Sequence, residues 1–399
     1  MNRTSVAVTT LSPSSLSGEE ISGSVEEELA VLRQNVNDVF LLSNGIIVAQ
    51  SHFSSVICCI FYWGIGYSLA YSPGNQFLGL SHWGGVGVTG DQMSHWFFQF
   101  IFAATAATIL SGAVAERCNF IAYIVYSAVI SETSDFFSFG FQLVGVGALL
   151  LVVGFLAFNG GSLGHMTARG DGALIASVMS NTVMGGAGGS IGILIASRLG
   201  LCGRPCWNFL FTVNAGLMGM VSVCAGANVF SMWSSLVIGL IAGPLYVALR
   251  YLVIACGVDD PLDASAVHFG GGLWGVMSEP LFRRGGLIYG ITDDAVKGLL
   301  HNAVGAGSIF LWSLTTSFIL FGFLYLINML RVPSTEEIEG LDITKHNEIA
   351  YPPSAWNNFH AKHMLPNDHI MIDVLNHNTD ARVKVMPEYD NHAMDNRRL

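Results

Sequence analysis

The segment from Pro205 to Ala248 contains no Asp, Glu, Lys or Arg. A helix that crosses the hydrocarbon core of a bilayer needs about 20 mostly apolar residues, so this segment is long enough for two crossings and the turn between them. A soluble domain would place charged residues on the solvent-facing side of its helices. The chain is therefore predicted to be an all-α polytopic membrane protein.

The composition of the whole chain agrees with this prediction. Of the 399 residues, 52% are apolar and 11% are charged, whereas charged residues make up about 25% of a typical soluble domain. The net charge of −11 lies mostly in the first 40 residues and after Arg331, so no basic surface for nucleic acid is expected. Seven cysteines without repeated CxxC spacing indicate neither a metal site nor a disulfide framework.

The apolar segments predict about eight crossings. We expect a polar N-terminal region at 1–36, a transmembrane domain at 37–330 and a cytosolic C-terminal tail at 331–399, and we recognise no heptad run. The predicted crossings lie at 46–71, 95–114, 140–158, 172–197, 206–228, 231–249, 262–281 and 303–329.

The basic residues predict the orientation of the chain. Short cytoplasmic loops are enriched in Lys and Arg, and Arg117, Arg198, Arg250 and Arg331 follow alternate crossings, which places them on one cytosolic face. For Arg117 and Arg198 to share a face, the chain between them must cross an odd number of times. The apolar stretch 118–131 is short for a crossing, so either it does not span or a crossing is missing.

One ionisable side chain lies within a predicted crossing. His268 follows Asp259, Asp260 and Asp263 in the stretch DDPLDASAVHFGGGLWG. If a helix begins near Pro261, the carboxylates lie at its positive end and His268 more than one turn further in. An ionisable residue at membrane depth is a functional candidate by default, because a neutral imidazole can bond a small solute or relay its proton. The alternative is a histidine that bonds a neighbouring helix for structure.

A second candidate site combines aromatic rings with a hydroxyl. Phe98 and Phe102 lie four residues apart, on one face of a predicted helix, and Phe158 and Ser162 have the same spacing in FNGGS. Ring faces attract a small cation by about 0.5 to 2 kcal/mol, and a serine hydroxyl accepts a hydrogen bond from an N–H group. The alternative is a packing stripe of aromatic residues.

These motifs resemble those of the ammonium transporter family, the Amt/Mep branch of the superfamily that includes Rhesus glycoproteins. The resemblance is carried by GYSLAYSPGNQFLG, SGAVAERCNF, GFLAFNGGS, VDDPLDASAVHFGGGLWG and RVPSTEEIEGLDITKHNEIAY, from about Asn37 to Tyr351. It implies a plasma-membrane transporter, not an enzyme, that needs no cofactor. In this family, subunits of eleven helices form a trimer, and each has a narrow pore in which recruited ammonium is deprotonated and passed along two histidines.

The resemblance also implies a role for particular side chains. Phe102 and Phe158 match the stacked phenylalanines of the pore gate, and Ser162 matches the hydroxyl of the outer vestibule. His268 matches the second pore histidine, and Asp263 the structural carboxylate before it. Two further side chains are implied to lie beside the pathway: Phe98, one turn from the gate, and Leu151, two turns below Phe158.

Part of the tail matches a regulatory segment of the family. Gly340, Asp342, His346 and Glu348 match the cytosolic segment that docks on a neighbouring subunit. Thr344 stands at the position of a regulatory phosphosite in plant relatives. The resemblance therefore implies that residues 331–351 regulate transport.

The sequence departs from the family pattern in two places. After NDVFLLSNGIIV, most of the first helix is missing; after NFIAYIVYSAVI, the segment with the first pore histidine is missing, and none of the 12 histidines lies between His95 and His165. About eight or nine helices are thus expected instead of eleven. Two hypotheses remain: an ammonium transporter, and a non-conducting subunit that regulates trimers of its own kind or mixed trimers with full-length relatives.

Overall fold

A computed structural model describes residues 18–49, 56–75, 78–114, 141–202, 207–339 and 341. This part of the chain is helical and holds no strand, and an isolated bridge joins Gly74 and Gly79. The predicted all-α class is confirmed. The helices are α1 Gly18–Ala49, α2 Val56–Phe61, α3 Tyr67–Tyr71, α4 Met93–Val114, α5 Phe141–Gly161, α6 Asp171–Arg198, α7 Phe209–Cys224, α8 Met232–Ala255, α9 Gly271–Phe282, α10 Asp293–Leu326 and α11 Ser334–Glu339.

Three of the described helices are long and apolar enough to cross a membrane by themselves, namely α6, α8 and α10. Shorter apolar helices lie at Gly147–Gly161, within α5, and at α7. The helix α10 begins at Asp293, well before the predicted start at 303, because the Thr292 hydroxyl accepts a hydrogen bond from the Ala295 amide and caps it. The stretch 118–131 lies outside the described residues.

The amino-terminal helices pack around a core of aromatic and aliphatic side chains. Leu41 and Val48 of α1 are buried where this helix packs on α4 and α5. The rings of Tyr62 and Phe100 lie 6.2 Å apart in this core, and Tyr62 belongs to a π-helical turn, Tyr62–Gly66, between α2 and α3. The helix α1 extends back to Gly18, into the region predicted to be polar.

The carboxyl-terminal core is built on backbone contact between α6, α7 and α8. A Cβ atom added at Gly189 would lie 2.1 Å from the Ala215 carbonyl oxygen, and one at Gly192 would lie 2.3 Å from the Leu240 oxygen. No side chain fits such gaps, so glycine alone permits this approach. The glycine-rich run of α6 thus allows the three helices to pack closely.

The helix that carries His268 begins three residues after Pro261, near which its start was predicted. Pro261 lies in a turn, and helical structure begins at Ala264, with a π-helical turn at Ser265–Gly270 that leads into α9. The Asp260 carboxylate accepts hydrogen bonds from the Ala264 amide at 2.9 Å and the Ser265 amide at 2.7 Å. This capping side chain sets the start of the helix, and His268 lies just over one turn beyond it.

Candidate functional site

Three phenylalanine rings meet where α4 crosses α5. The ring centroids of Phe102 and Phe158 are 4.3 Å apart with an interplanar angle of 37°, and those of Phe98 and Phe102 are 5.0 Å apart, edge to face. Phe98 is buried, whereas Phe102 and Phe158 are half-buried. The structure thus brings these three predicted site residues together, and the Phe102 and Phe158 rings form the closest contact among them.

Ser162 lies one residue beyond the end of α5, above the phenylalanine pair along this helix. Its hydroxyl donates a hydrogen bond of 2.6 Å to the Phe158 carbonyl oxygen. A serine hydroxyl has one proton and two lone pairs, so only lone pairs remain for a ligand at this exposed position. The hydroxyl is therefore an acceptor that suits an N–H donor.

The end of α5 is fixed by polar and steric contacts that the sequence patterns did not show. The Asn159 amide donates to the Thr182 hydroxyl of α6 at 2.9 Å, and both side chains are buried. A Cβ added at Gly161 would lie 2.9 Å from the Phe98 ring and from Asn44 of α1. These contacts hold the Phe158 backbone, and with it the ring, against α4.

Further along α5, Leu151 is half-buried two turns before Phe158. Phe155 lies between them, and its ring centroid is 6.4 Å from that of Phe158. An apolar groove runs beside this part of α5, between Val152 and Val183 of α6. The groove beside this part of α5 is thus lined mainly by apolar side chains.

Asp263 is the centre of a polar network between α7, α8 and the start of the His268 helix. Tyr246 donates to its carboxylate at 2.5 Å, Arg250 at 2.9 Å and Asn214 at 3.3 Å. Asp263 has a φ of 56°, a left-handed conformation that Asp and Asn adopt more readily than other side chains. Arg250, which was used to predict the orientation of the chain in the membrane, thus also has a structural partner. Its spacing from Tyr246, four residues earlier on α8, was the sequence signal that both side chains could reach one partner.

His268 lies in the π-helical turn, half-buried, beside two residues of the carboxyl-terminal core, Ala266 and Val267. No described residue forms a hydrogen bond with either ring nitrogen of His268. A Cβ at Gly275, further along the helix, would lie 2.6 Å from the Ser222 oxygen of α7, so this helix is pressed closely against α7. The imidazole therefore keeps a donor and an acceptor for a solute.

The predicted site residues form two groups. The first group lies on α4 and at the end of α5 and consists of Phe98, Phe102, Phe158 and Ser162. The second group, Asp263 and His268, lies in the segment that leads into α9. The helix α7 packs both on α5 and on the π-helical turn of His268. Among the described residues, no cluster of His, Cys, Asp and Glu could hold a metal ion.

Most of the predicted regulatory segment lies outside the described residues, namely Gly340, Asp342, Thr344, His346 and Glu348. Just before it, Arg331 forms two hydrogen bonds of 2.9 Å with the Glu337 carboxylate. This pairing raises the pKa of Arg331 above its ordinary value, so the start of the tail is held by a charge-assisted contact.

Comparison with known sequences identifies relatives of the whole apolar region. The model of the Ammonium Transporter Family matches residues 42–139 and 138–351. The chain is 32% identical to "Putative ammonium transporter 1" of Caenorhabditis elegans over 432 residues, which cover 86% of this chain and 80% of that protein. That alignment is longer than the 399 residues of this chain, so the relative has internal residues that this chain lacks.

Solved structures with the same fold are also found. A "Sensor Amt Protein" superposes with a TM-score of 0.69 at 22% identity, covering 79% of this chain and 99% of that protein. The crystal structure of Saccharomyces cerevisiae Mep2 gives a TM-score of 0.60 at 18% identity, over 76% of this chain and 86% of that one. At this level of identity the likeness establishes the helical fold.

Proposed function

Because this chain belongs to the ammonium transporter family of integral membrane proteins, we propose that it moves ammonium or ammonia through an apolar path in each subunit of a trimer. The observation that carries this proposal is the contact of the Phe102 and Phe158 rings below the Ser162 hydroxyl. We place the trimer in the plasma membrane, with residues 331–399 in the cytosol.

Recruitment and deprotonation take place at the phenylalanine pair. An ammonium ion donates a hydrogen bond to the free lone pairs of Ser162, and the ring faces attract its charge by about 0.5 to 2 kcal/mol. Moving the ion past the rings into an apolar space would cost far more than that. The ion therefore leaves its proton to water at the vestibule, and neutral ammonia passes between Phe102 and Phe158, with Phe98 supporting the pair.

Beyond the rings the path continues along Leu151 to His268. The apolar side chain of Leu151 suits neutral ammonia and disfavours its ion. A neutral imidazole at His268 offers one nitrogen that donates to the ammonia lone pair and one that accepts from its N–H. Asp263 positions the start of this helix through Tyr246 and Arg250.

Uptake of methylammonium tests this function. The parent chain and His268→Ala are expressed in cells that lack other ammonium transporters, with His301→Ala, an exposed histidine of α10, as the matched control. We expect uptake by the parent and the control and a loss of at least about tenfold in His268→Ala, since a site that bonds polar groups loses more than about 1.4 kcal/mol without its partner. Equal and substantial uptake by all three would remove His268 from the mechanism.

A second candidate function has its own observation. None of the histidines lies between His95 and His165, so a path that needs two histidines is incomplete in this chain. A non-conducting subunit that regulates trimers through residues 331–351 would fit that departure. Co-expression with a full-length relative distinguishes the two: a regulatory subunit changes the relative's uptake, and removing the tail after Leu330 abolishes the change.

A further inference from the structure

The part of α1 from Val25 to Val39 exposes a row of apolar side chains. Val25, Leu29, Leu32, Val36 and Val39 are 48%, 44%, 57%, 36% and 65% exposed. The steps between them alternate between four and three residues, which is the spacing of the a and d positions in a coiled coil. Leu29 and Val36 then occupy a positions, and the other three residues occupy d positions. The row covers only two heptads, which is why no heptad run was predicted for this region.

The row faces away from the subunit that carries it. The opposite side of α1 bears the buried Leu41 and Val48, and on that side Asp38 accepts a hydrogen bond of 2.6 Å from Ser94 of α4. At about 100° per residue, the centre of the row lies roughly 150° around the helix from Leu41 and Val48. The row is therefore free to contact another molecule.

This part of α1 is unsuited to a lipid environment. Charged residues at membrane depth are costly, and helices that lie on a membrane surface carry mainly Lys and Arg on their polar face. Here the charged residues are acidic with one exception, so anionic headgroups would repel them. The charged residues of α1 up to Val39 are Glu19, Glu20, Glu26, Glu27, Glu28, Arg33 and Asp38.

The charges beside the row suit a second copy of the same helix. In the heptad that the row defines, Glu28 is at a g position and Arg33 at the following e position. In a parallel coiled coil the g residue of one helix faces the e residue five positions further on in its neighbour. Within a single helix the two side chains are about 140° apart and do not meet. The pair is therefore complementary only between copies.

We propose that residues 25–39 of α1 form a parallel coiled coil with the same residues of the other copies in the trimer. That the coiled coil contains three helices rests on the trimer of the proposed function. Four of the five residues of the row lie before Asn37, where the resemblance to the family begins, so most of the contact is an addition to the family's membrane domain. It joins the subunits outside the bilayer.

Cysteine cross-linking in membranes tests the contact in the full chain, after its seven native cysteines are replaced by alanine. Val25→Cys and Leu32→Cys introduce thiols at d positions, and Glu27→Cys is the matched control on the far side of the helix. We expect at least about tenfold more disulfide-linked dimer from the two d positions, because the coiled coil raises their effective concentration. Equal cross-linking at Glu27→Cys, or none at Val25→Cys, would overturn the proposal.

A native gel of the same samples separates this proposal from the trimer. A trimer band without cross-linking at the d positions contradicts the coiled coil alone, whereas the absence of any oligomer contradicts the trimer as well.

Exchange of the charges tests the register. Glu28→Arg and Arg33→Glu should each lower the fraction of oligomer that survives mild detergent by about threefold at low salt, and the double exchange should restore it. Failure of the double variant to recover would overturn the parallel register.

Discussion

The two ends of the membrane domain are packed by different means. In α6, α7 and α8 the glycines bring backbones into contact, and Asp263 has a partner on both α7 and α8. In α1, α4 and α5 the contacts are made by large side chains, above all aromatic rings. Both places where the sequence departs from the family pattern lie in this amino-terminal part.

The difference follows from what each kind of contact tolerates. A backbone contact has no side chain that can move, so any added atom forces two helices apart. Rings and long side chains adopt other rotamers and refill space after a change. The part packed through side chains is therefore the part that accommodates lost residues, while the His268 motif remains within the part packed through glycine.

The largest expected difference in stability comes from adding one methyl group at a backbone contact and one at a side-chain contact. Gly189→Ala places a Cβ against the Ala215 backbone oxygen, and we expect a loss of about 3 kcal/mol. Gly161→Ala meets the Phe98 ring, which can shift, so the expected loss is about 1 kcal/mol. Melting temperatures of the purified protein in detergent measure both changes.

Gly172→Ala is the control for the effect of alanine on the helix, since no atom lies within 4 Å of its added Cβ. It should be neutral or stabilising by up to about 1 kcal/mol. If Gly161→Ala lowers the melting temperature as much as Gly189→Ala does, the distinction between the two packing types is wrong.

The polar network of the carboxyl-terminal part should show the next largest effect. Asp263→Asn keeps a residue that tolerates the positive φ but leaves the Arg250 charge without its partner, and we expect a loss of about 2 kcal/mol. The double variant with Arg250→Met removes the uncompensated charge and should recover part of the melting temperature. A double variant less stable than Asp263→Asn would show that Arg250 contributes mainly through other contacts.

The sequence predicted most of the helices because apolar composition alone determines which segments can enter lipid. The apolar pattern located crossings but not the residues at which α10 and the His268 helix begin, because each start is set by one capping side chain, Thr292 or Asp260. Apolar runs carry no information about such caps. The row on α1 was missed for a similar reason, since acidic residues separate its members and lower the local hydropathy.

The candidate site was predictable to different degrees. Spacing along α4 and the family resemblance pointed to Phe102 and Phe158, and the structure places their rings in contact. The partners of Asp263 could not be predicted, because Asn214 is distant in the chain and contact depends on how α7 meets α8. The roles assigned to His268, Leu151 and Ser162 in transport remain predictions for the uptake experiment.

A smaller effect is expected where the two packing types meet. The Asn159 amide of α5 donates to the Thr182 hydroxyl of α6 within the protein interior. Asn159→Ala and Thr182→Val should each cost about 1 to 2 kcal/mol, and a double-mutant cycle should assign about 1 kcal/mol to their interaction. Additive losses would mean that the halves are held together by packing alone.

The smallest effect is expected in the segment that connects α5 to α6. His165 lies 2.7 Å from the Asp171 carboxylate, but its side chain is 49% exposed, so His165→Ala should cost no more than about 0.5 kcal/mol. Asp171 also accepts the Ala168 amide at 2.8 Å and is nearly buried, so Asp171→Ala should cost about 1 kcal/mol, as loss of a typical hydrogen bond does. Comparison of the melting temperatures of the two variants decides which contact fixes the segment between α5 and α6. A larger loss from His165→Ala would mean that the contact with His165, and not the hydrogen bond from the Ala168 amide, fixes the segment between the two differently packed ends.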